Sequence, residues 1–175
     1  PLSVEAQIES KTLMLAPNNV FSPSSGKPVT TPTQDIALGL YFLTSFSQSF
    51  ILSSRKSGTV DEQESLPILG DINEVHTAFE DGALVMHDRI RYRNPDYQVE
   101  TKFGVQDKSV IVTTVGRVFF NEVWPEGLGF VNDRVNKKVL GTLIEHCYEK
   151  AGHNETVLVL DRLKSLGFEQ ATAAG

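Results

Sequence analysis

The hydrophobic period of the chain changes at Gly82, and that change limits the fold more than any other feature of the sequence. Downstream of it, ALVMHDRIRYR, YQVETKFG and SVIVTTVGRVFF alternate apolar and polar residues, which is the period of half-buried strands. Asn94-Pro95-Asp96 and a turn around Gly104 to Ser109 join the three, so the simplest topology is a small antiparallel meander. On either side the period is helical. Ser3 caps a first helix that runs to Ala16 and ends at Pro17. IALGLYFLTSF is apolar nearly all round, which predicts a helix buried on most sides, with Asp35 placed to cap it. Asp71-Ile72-Asn73-Glu74 opens a third helix that Gly82 ends. Beyond Trp124, one helix carries Val135, Val139, Leu140, Leu143, Ile144, Cys147 and Tyr148 on one face and stops at Gly152. A last one, capped by Asn154, turns Val157, Leu160, Leu163 and Leu166 inward and stops at Gly167. This order predicts an α+β domain: helices flanking a small antiparallel sheet, with a long proline-rich loop near the N-terminus.

That loop carries Pro17, Pro23, Pro28 and Pro32 within NNVFSPSSGKPVTTPTQD and its preceding residue. Prolines restrict the backbone beforehand, so the polar groups of Asn18, Asn19, Thr33 and Gln34 and the charge of Lys27 are held at a lower entropic cost than in a flexible loop. Such a loop either lines a site or is a connector closed by Asn and Asp side chains. From Ser45 to Gly70 the composition shifts to Ser, Gln, Asp and Glu. FILSS there reads as a possible strand, and GTVDEQES as a variable insertion.

Several function classes are disfavoured. Cys147 is the only cysteine, so no internal disulfide and no multi-cysteine metal site can form, which suits a reducing compartment. No apolar run approaches the roughly 20 residues of a membrane span. A net charge of −6 argues against a whole-surface nucleic-acid binder but leaves room for one basic face. Arg89, Arg91 and Arg93 fall on one side of a strand, with Ile90 and Tyr92 on the other. They form either a stripe for an acidic partner or the solvated face of a half-buried strand. His146, Cys147 and His153 are close in sequence, but Cys147 belongs to the apolar face and His146 is turned away from it, so they do not converge on a metal. No nucleophile motif or glycine-rich phosphate loop is present, and a hydrolase using Asp35 with a histidine is the weakest of the alternatives. The chain starts at PLSVEAQ and stops at ATAAG just after a helical pattern, which suggests a piece of something longer.

PLSVEAQIES, LMLAPNNVFSPSSGKPVTTPTQDIALGLYFLT, VTTVGRVFFNE and LDRLKSLGFEQAT resemble, in this order, the largest (beta-prime) subunit of bacterial multisubunit RNA polymerase. The pattern NN...SP..G.P...P.QD..LG.Y.LT is specific, and the stretch that matches poorly is Ser45 to Gly70. The resemblance implies a tail helix of the active-site region at residues 1–16 and a pore domain at 17–175, with 45–70 as a variable insertion. It further implies a cytoplasmic, bacterial protein assembled with beta, alpha, omega and sigma subunits. The pore would be the secondary channel that admits nucleoside triphosphates and receives the RNA 3′ end near the DNA template. In the family, catalytic Mg2+ is held by an aspartate loop that would precede Pro1, so no catalytic or metal-binding residue is expected in this stretch. Asn18, Asn19, Gln34 and Asp35 match the loop facing the active centre. Gln34 would contact the nucleotide or RNA 3′ end, with Asp35 orienting it. Arg117 matches TTVGR, with a positioning or ion-pair role near the channel. At Ala173 the chain departs from the family, which often has a basic residue there.

Overall fold

The computed structural model describes residues 3–24, 26, 28–46 and 66–175. FILSS, GTVDEQES and Lys27 lie outside these residues. The elements are α1 (Val4–Glu9), continued by a π-helical turn over Ser10–Met14 and a 3-10 turn over Ala16–Asn19, then α2 (Gln34–Leu43), β1 (Ile68–Leu69), α3 (Ile72–Glu80), β2 (Arg89–Arg93), β3 (Val110–Thr114), α4 (Val115–Glu122) and α5 (Lys137–Ala174). The α+β class is as the periodicity predicts. The sheet, however, is mixed. β2 pairs antiparallel with β3, while β1, at the end of the segment expected to be variable, runs parallel to β2 through Ile68 opposite Arg91.

The expected middle strand, YQVETKFG, is a loop. The buried Asn94 side chain donates to the carbonyls of Val105 and Lys108 and closes the segment on itself, and the Asp96 carboxylate accepts from Phe130 N–H and ties it to the chain between α4 and α5. Gln98 takes a left-handed conformation (φ 61°), which an extended ladder does not accommodate.

The second departure matters more. SVIVTTVGRVFF is not one strand: it changes at Thr114 into α4. Every residue from Val115 to Phe120 is buried, and a short run buried on all sides carries no periodicity that separates strand from helix. The Thr114 hydroxyl accepts from Arg117 N–H, capping the helix. Val115 N–H and Gly116 N–H, which would otherwise be unpaired first-turn donors, reach the carbonyls of Asp88 and Met86 at 3.3 and 2.8 Å. α4 thus begins on the chain leading into β2 and becomes the middle of the molecule. Phe120 packs into a core made with α2 and α5. Val115, Val118 and Phe119 pack into a second one with Val75, Ile90 and Ile111.

The last two expected helices are both present, joined end to end at Gly152, whose non-helical backbone (φ 80°, ψ −176°) ends the first where the sequence placed a stop; α5 denotes the two together. Gly167 stops nothing. The helix runs through it to Ala174, and Gly167 lies against Ile36 of α2. His146 is not turned out either. It is buried beside Cys147, edge-on to Phe103, with Nδ1 3.4 Å from Glu149. Burial pushes the Cys147 thiol up from its ordinary pKa. Iodoacetamide is therefore expected to leave Cys147 unmodified in the folded chain at pH 8 and to label it only in denaturant; labelling at equal rates in both would contradict its burial.

α3 is capped by Asp71, whose carboxylate accepts from Asn73 N–H at 2.9 Å. The Asn73 backbone and side-chain hydrogen bonds hold its pKa below the usual carboxylate range. A lowered folded pKa means that the cap's contribution is present above the unfolded value and is lost as pH falls through the folded one. Titration by carbon-detected NMR should show Asp71 protonating below the ordinary aspartate value; a midpoint at that value would remove the cap from the account.

Candidate functional site

The proline-rich loop is tied down at both ends. Val20 is buried, and its carbonyl accepts from Val29 N–H at 2.8 Å. Phe21 and Pro28 form an antiparallel bridge, and the Phe21 ring lies 4.1 Å from Tyr148 on α5. Asn18 Nδ2 donates to the carbonyls of Lys11 and Thr12, and Asn19 Nδ2 to those of Leu13 and Leu15 at 2.9 and 3.1 Å. Both asparagines therefore close the end of the first helical segment, as the connector reading required. α1 itself buries nothing, and Val4, Ile8, Leu13 and Met14 are exposed.

Pro32 is buried, and the chain then turns outward through Thr33, Gln34 and Asp35, all exposed. Gln34 has φ 51°, a left-handed conformation that few residues other than glycine adopt. Asp35 does not cap α2: the cap position is Thr33, without a side-chain hydrogen bond, and Asp35 stands in the first turn. Its charge there still favours the positive end of the helix. Neither a hydrogen bond nor an ion pair joins Asp35 to a histidine among the described residues, which removes the arrangement a hydrolase would need.

α2 is buried on one side only. Gly39, Leu40 and Leu43 face the core, while Leu38 and Tyr41 are 62% and 40% exposed. Leu158 and Phe168 on α5 are also open, at 48% each. The sequence predicted burial on most sides of α2. The described residues provide cover for one.

Arg117 holds the other end of α2. It is 3% exposed; Nε donates to Thr44 O at 3.1 Å, and one terminal nitrogen donates to Asn132 O and Oδ1 at 2.8 and 3.1 Å. Its guanidinium lies 4.1 Å from the Phe46 ring centre. Its hydrogen bonds go to carbonyl oxygens, with no carboxylate ion pair among the described residues. Burial lowers its pKa, and Asp133 partly opposes the shift. Gly116 lets the Leu43 carbonyl approach to where a Cβ would stand 2.1 Å away. Two residues that sequence reasoning passed over complete the grip. Asn132 Nδ2 reaches Val112 O on β3, and the Asn121 amide binds Val131 through both its nitrogen and its oxygen. Their partners are remote in sequence, so no local signal marked them.

The site residues are thus not gathered together. Gln34 and Arg117 act at opposite ends of α2, about 15 Å apart along a ten-residue helix. Arg89 and Arg91 on β2 are half-buried and Arg93 is exposed, with Ile90 buried behind them. No group of three or more His, Cys, Asp or Glu among the described residues could hold a metal ion. These residues do not fit the Mg2+ implied by the resemblance. Among the described residues no helix is long and apolar enough to cross a membrane.

Set beside known proteins, residues 19–175 match the family described as RNA polymerase Rpb1, domain 3. The chain belongs to that family. The chain is 53% identical over 175 residues to the DNA-directed RNA polymerase subunit beta' of Methylacidiphilum infernorum, covering the whole chain and 12% of that relative. It is 50% identical over 175 residues to the corresponding subunit of Opitutus terrae, with the same coverage. The Syntrophomonas wolfei subunit is 40% identical over 185 residues, covering the whole chain and 15% of the relative. The chain thus spans about an eighth of the length of the first two relatives. TTVGR in domain 3 is a device for fixing the C-terminal end of α2: Thr114 caps α4, Gly116 admits Leu43, and Arg117 closes on Thr44.

Proposed function

We propose that this chain is part of a beta-prime subunit and forms a wall of the secondary channel of a bacterial RNA polymerase. In this reading residues 17–175 are the pore domain and 1–16 the tail of the active-site region. The exposed turn Thr33-Gln34-Asp35 faces the path taken by nucleoside triphosphates and the RNA 3′ end. The observation that carries it is Gln34 itself: an exposed polar side chain on a left-handed backbone, following a buried proline, at the rigid end of a tied-down loop. Such strain persists only where the surroundings impose it, and it gathers at working sites. Asn18 and Asn19 stiffen the base of the loop, and Arg117 positions α2 from its far end. The magnesium of the assembled enzyme would be held by residues upstream of Pro1; its chemistry is nucleotidyl transfer on a DNA template, in a cytoplasmic assembly with beta, alpha, omega and sigma subunits.

The test is Gln34→Ala in the full-length subunit, assembled into polymerase. Loss of one hydrogen bond to the substrate should raise KM for nucleoside triphosphates by about fivefold to tenfold, with assembly intact. Gln34→Gly should show the same KM defect while relieving the left-handed backbone by about 1 kcal/mol. An unchanged KM and an unchanged rate of RNA 3′-end cleavage in both variants would end the assignment.

A further inference from the structure

The two helices of α5 hold the proline-rich loop from opposite sides of the Gly152 joint. The base of the loop leans on the first helix, residues 137–151. There the Phe21 ring lies 4.1 Å from Tyr148, and Pro28 and Thr31 border a groove beside Lys138 and Thr142. The outer end is held by the second helix, residues 153–174. Gln34 opens α2, and Ile36, in the same turn, lies so close to Gly167 that a Cβ on Gly167 would stand 2.6 Å from it. Gly152 therefore lies between the two anchorages.

The joint is fixed by more than chain continuity. At φ 80° and ψ −176°, Gly152 occupies a backbone region that residues with a Cβ almost never enter. Nothing among the described residues lies within 4 Å of its would-be Cβ, so conformation and not space demands glycine there. Cys147 and Thr156, one on each helix, are fully buried with Sγ and Oγ1 3.8 Å apart, and Thr156 Oγ1 donates to Gly152 O at 2.8 Å. His153 stands edge-on, at 6.5 Å, to Tyr148, the ring on which Phe21 rests.

We propose that Gly152 is a positioning residue: the angle it sets between the two helices of α5 fixes how far Gln34 stands from Phe21, and so where the Gln34 amide meets the nucleotide or RNA 3′ end. A misplacement of about 1 Å is enough to lose a contact made by one amide. The functional half of this inference rests on the channel reading; the geometric half does not.

The experiment is a double-mutant cycle on KM for nucleoside triphosphates, with Gly152→Ala and Gln34→Ala in the full-length subunit of assembled polymerase. Gly152→Ala alone should raise KM by about threefold to tenfold with kcat unchanged. Added to Gln34→Ala it should change KM by less than about twofold, because the group it displaces is already gone. Gly141→Ala, at a helical position of the first helix, should leave KM as it is. Equal KM effects of Gly152→Ala with and without Gln34 overturn the proposal, as does an unchanged KM for Gly152→Ala when Gln34→Ala raises it. If Gln34→Ala leaves KM unchanged, the channel reading is what has failed. The distance from Phe21 to Gln34 in an electron cryomicroscopy structure of the Gly152→Ala polymerase then decides the geometry: an unchanged distance overturns it and a changed one supports it. If Gly152→Ala does not assemble, Gly152→Asn, which tolerates positive φ better but not this ψ, gives the same readouts.

Discussion

Gly39→Ala is expected to be the most damaging single methyl in the molecule. A Cβ at that position would stand 1.9 Å from the Gly167 carbonyl oxygen and 2.8 Å from Ala171 N. Both are backbone atoms of α5, so no rotamer change relieves the clash and the helices must separate. The contact is reciprocal, since a Cβ on Gly167 would meet Ile36 at 2.6 Å. Separation would also loosen Leu40 and Leu43, which are fully buried at the same crossing. The expected cost is about 3 kcal/mol or more, at the upper end for overpacking, and a fall in Tm of about 10 °C. Gly141→Ala is the control. It lies in the same α5 with nothing within 4 Å of its would-be Cβ, and is expected to be neutral or to stabilise by up to about 1 kcal/mol. Equal unfolding midpoints for the two variants would show that the crossing is looser than the backbone contact implies.

Arg117→Ala should come close to it. The substitution strips donors from Thr44 O, Asn132 O and Asn132 Oδ1 inside the protein and removes the cation over Phe46. Buried acceptors left without partners are expected to cost about 3–5 kcal/mol in total. Arg117→Lys keeps the charge but cannot fork between Thr44 and Asn132, so most of the loss should remain. Hydrogen exchange gives the local readout: amides at the C-terminal end of α2 and around Asn132 should exchange faster, and those of α3 should not. A loss under about 1 kcal/mol would mean that water replaces the guanidinium at little cost.

Helix caps were legible because their causes are local. Asp71 and Ser3 cap where the sequence placed them, each bonding an amide two or three residues on. Gly82, in a left-handed conformation at φ 71°, follows the end of α3 for the reason glycine ends helices. The alternation of Arg89, Ile90 and Arg91 also held, with Ile90 in the core. The errors share another cause. Gly167 looked like a stop because glycine has two uses, freedom of φ and absence of a Cβ, and only the neighbour decides which is needed. GRVFF looked like a strand because burial on all sides erases the period.

The candidate site divides the same way. The stiffness of the proline-rich loop was read from Pro17, Pro23, Pro28 and Pro32, while its direction was not. The sequence by itself determined the α+β class, the starts of α1 and α3 and the family, because caps, periods and motifs depend on residues within a turn or two of each other. The tertiary structure alone decided that α4 is the central helix, that α2 and α5 meet backbone to backbone, and that Arg117 closes on carbonyls rather than a carboxylate. Each of those depends on a partner dozens of residues away, as Arg117 and Thr44 are 73 residues apart, and only folding brings such atoms within hydrogen-bonding distance.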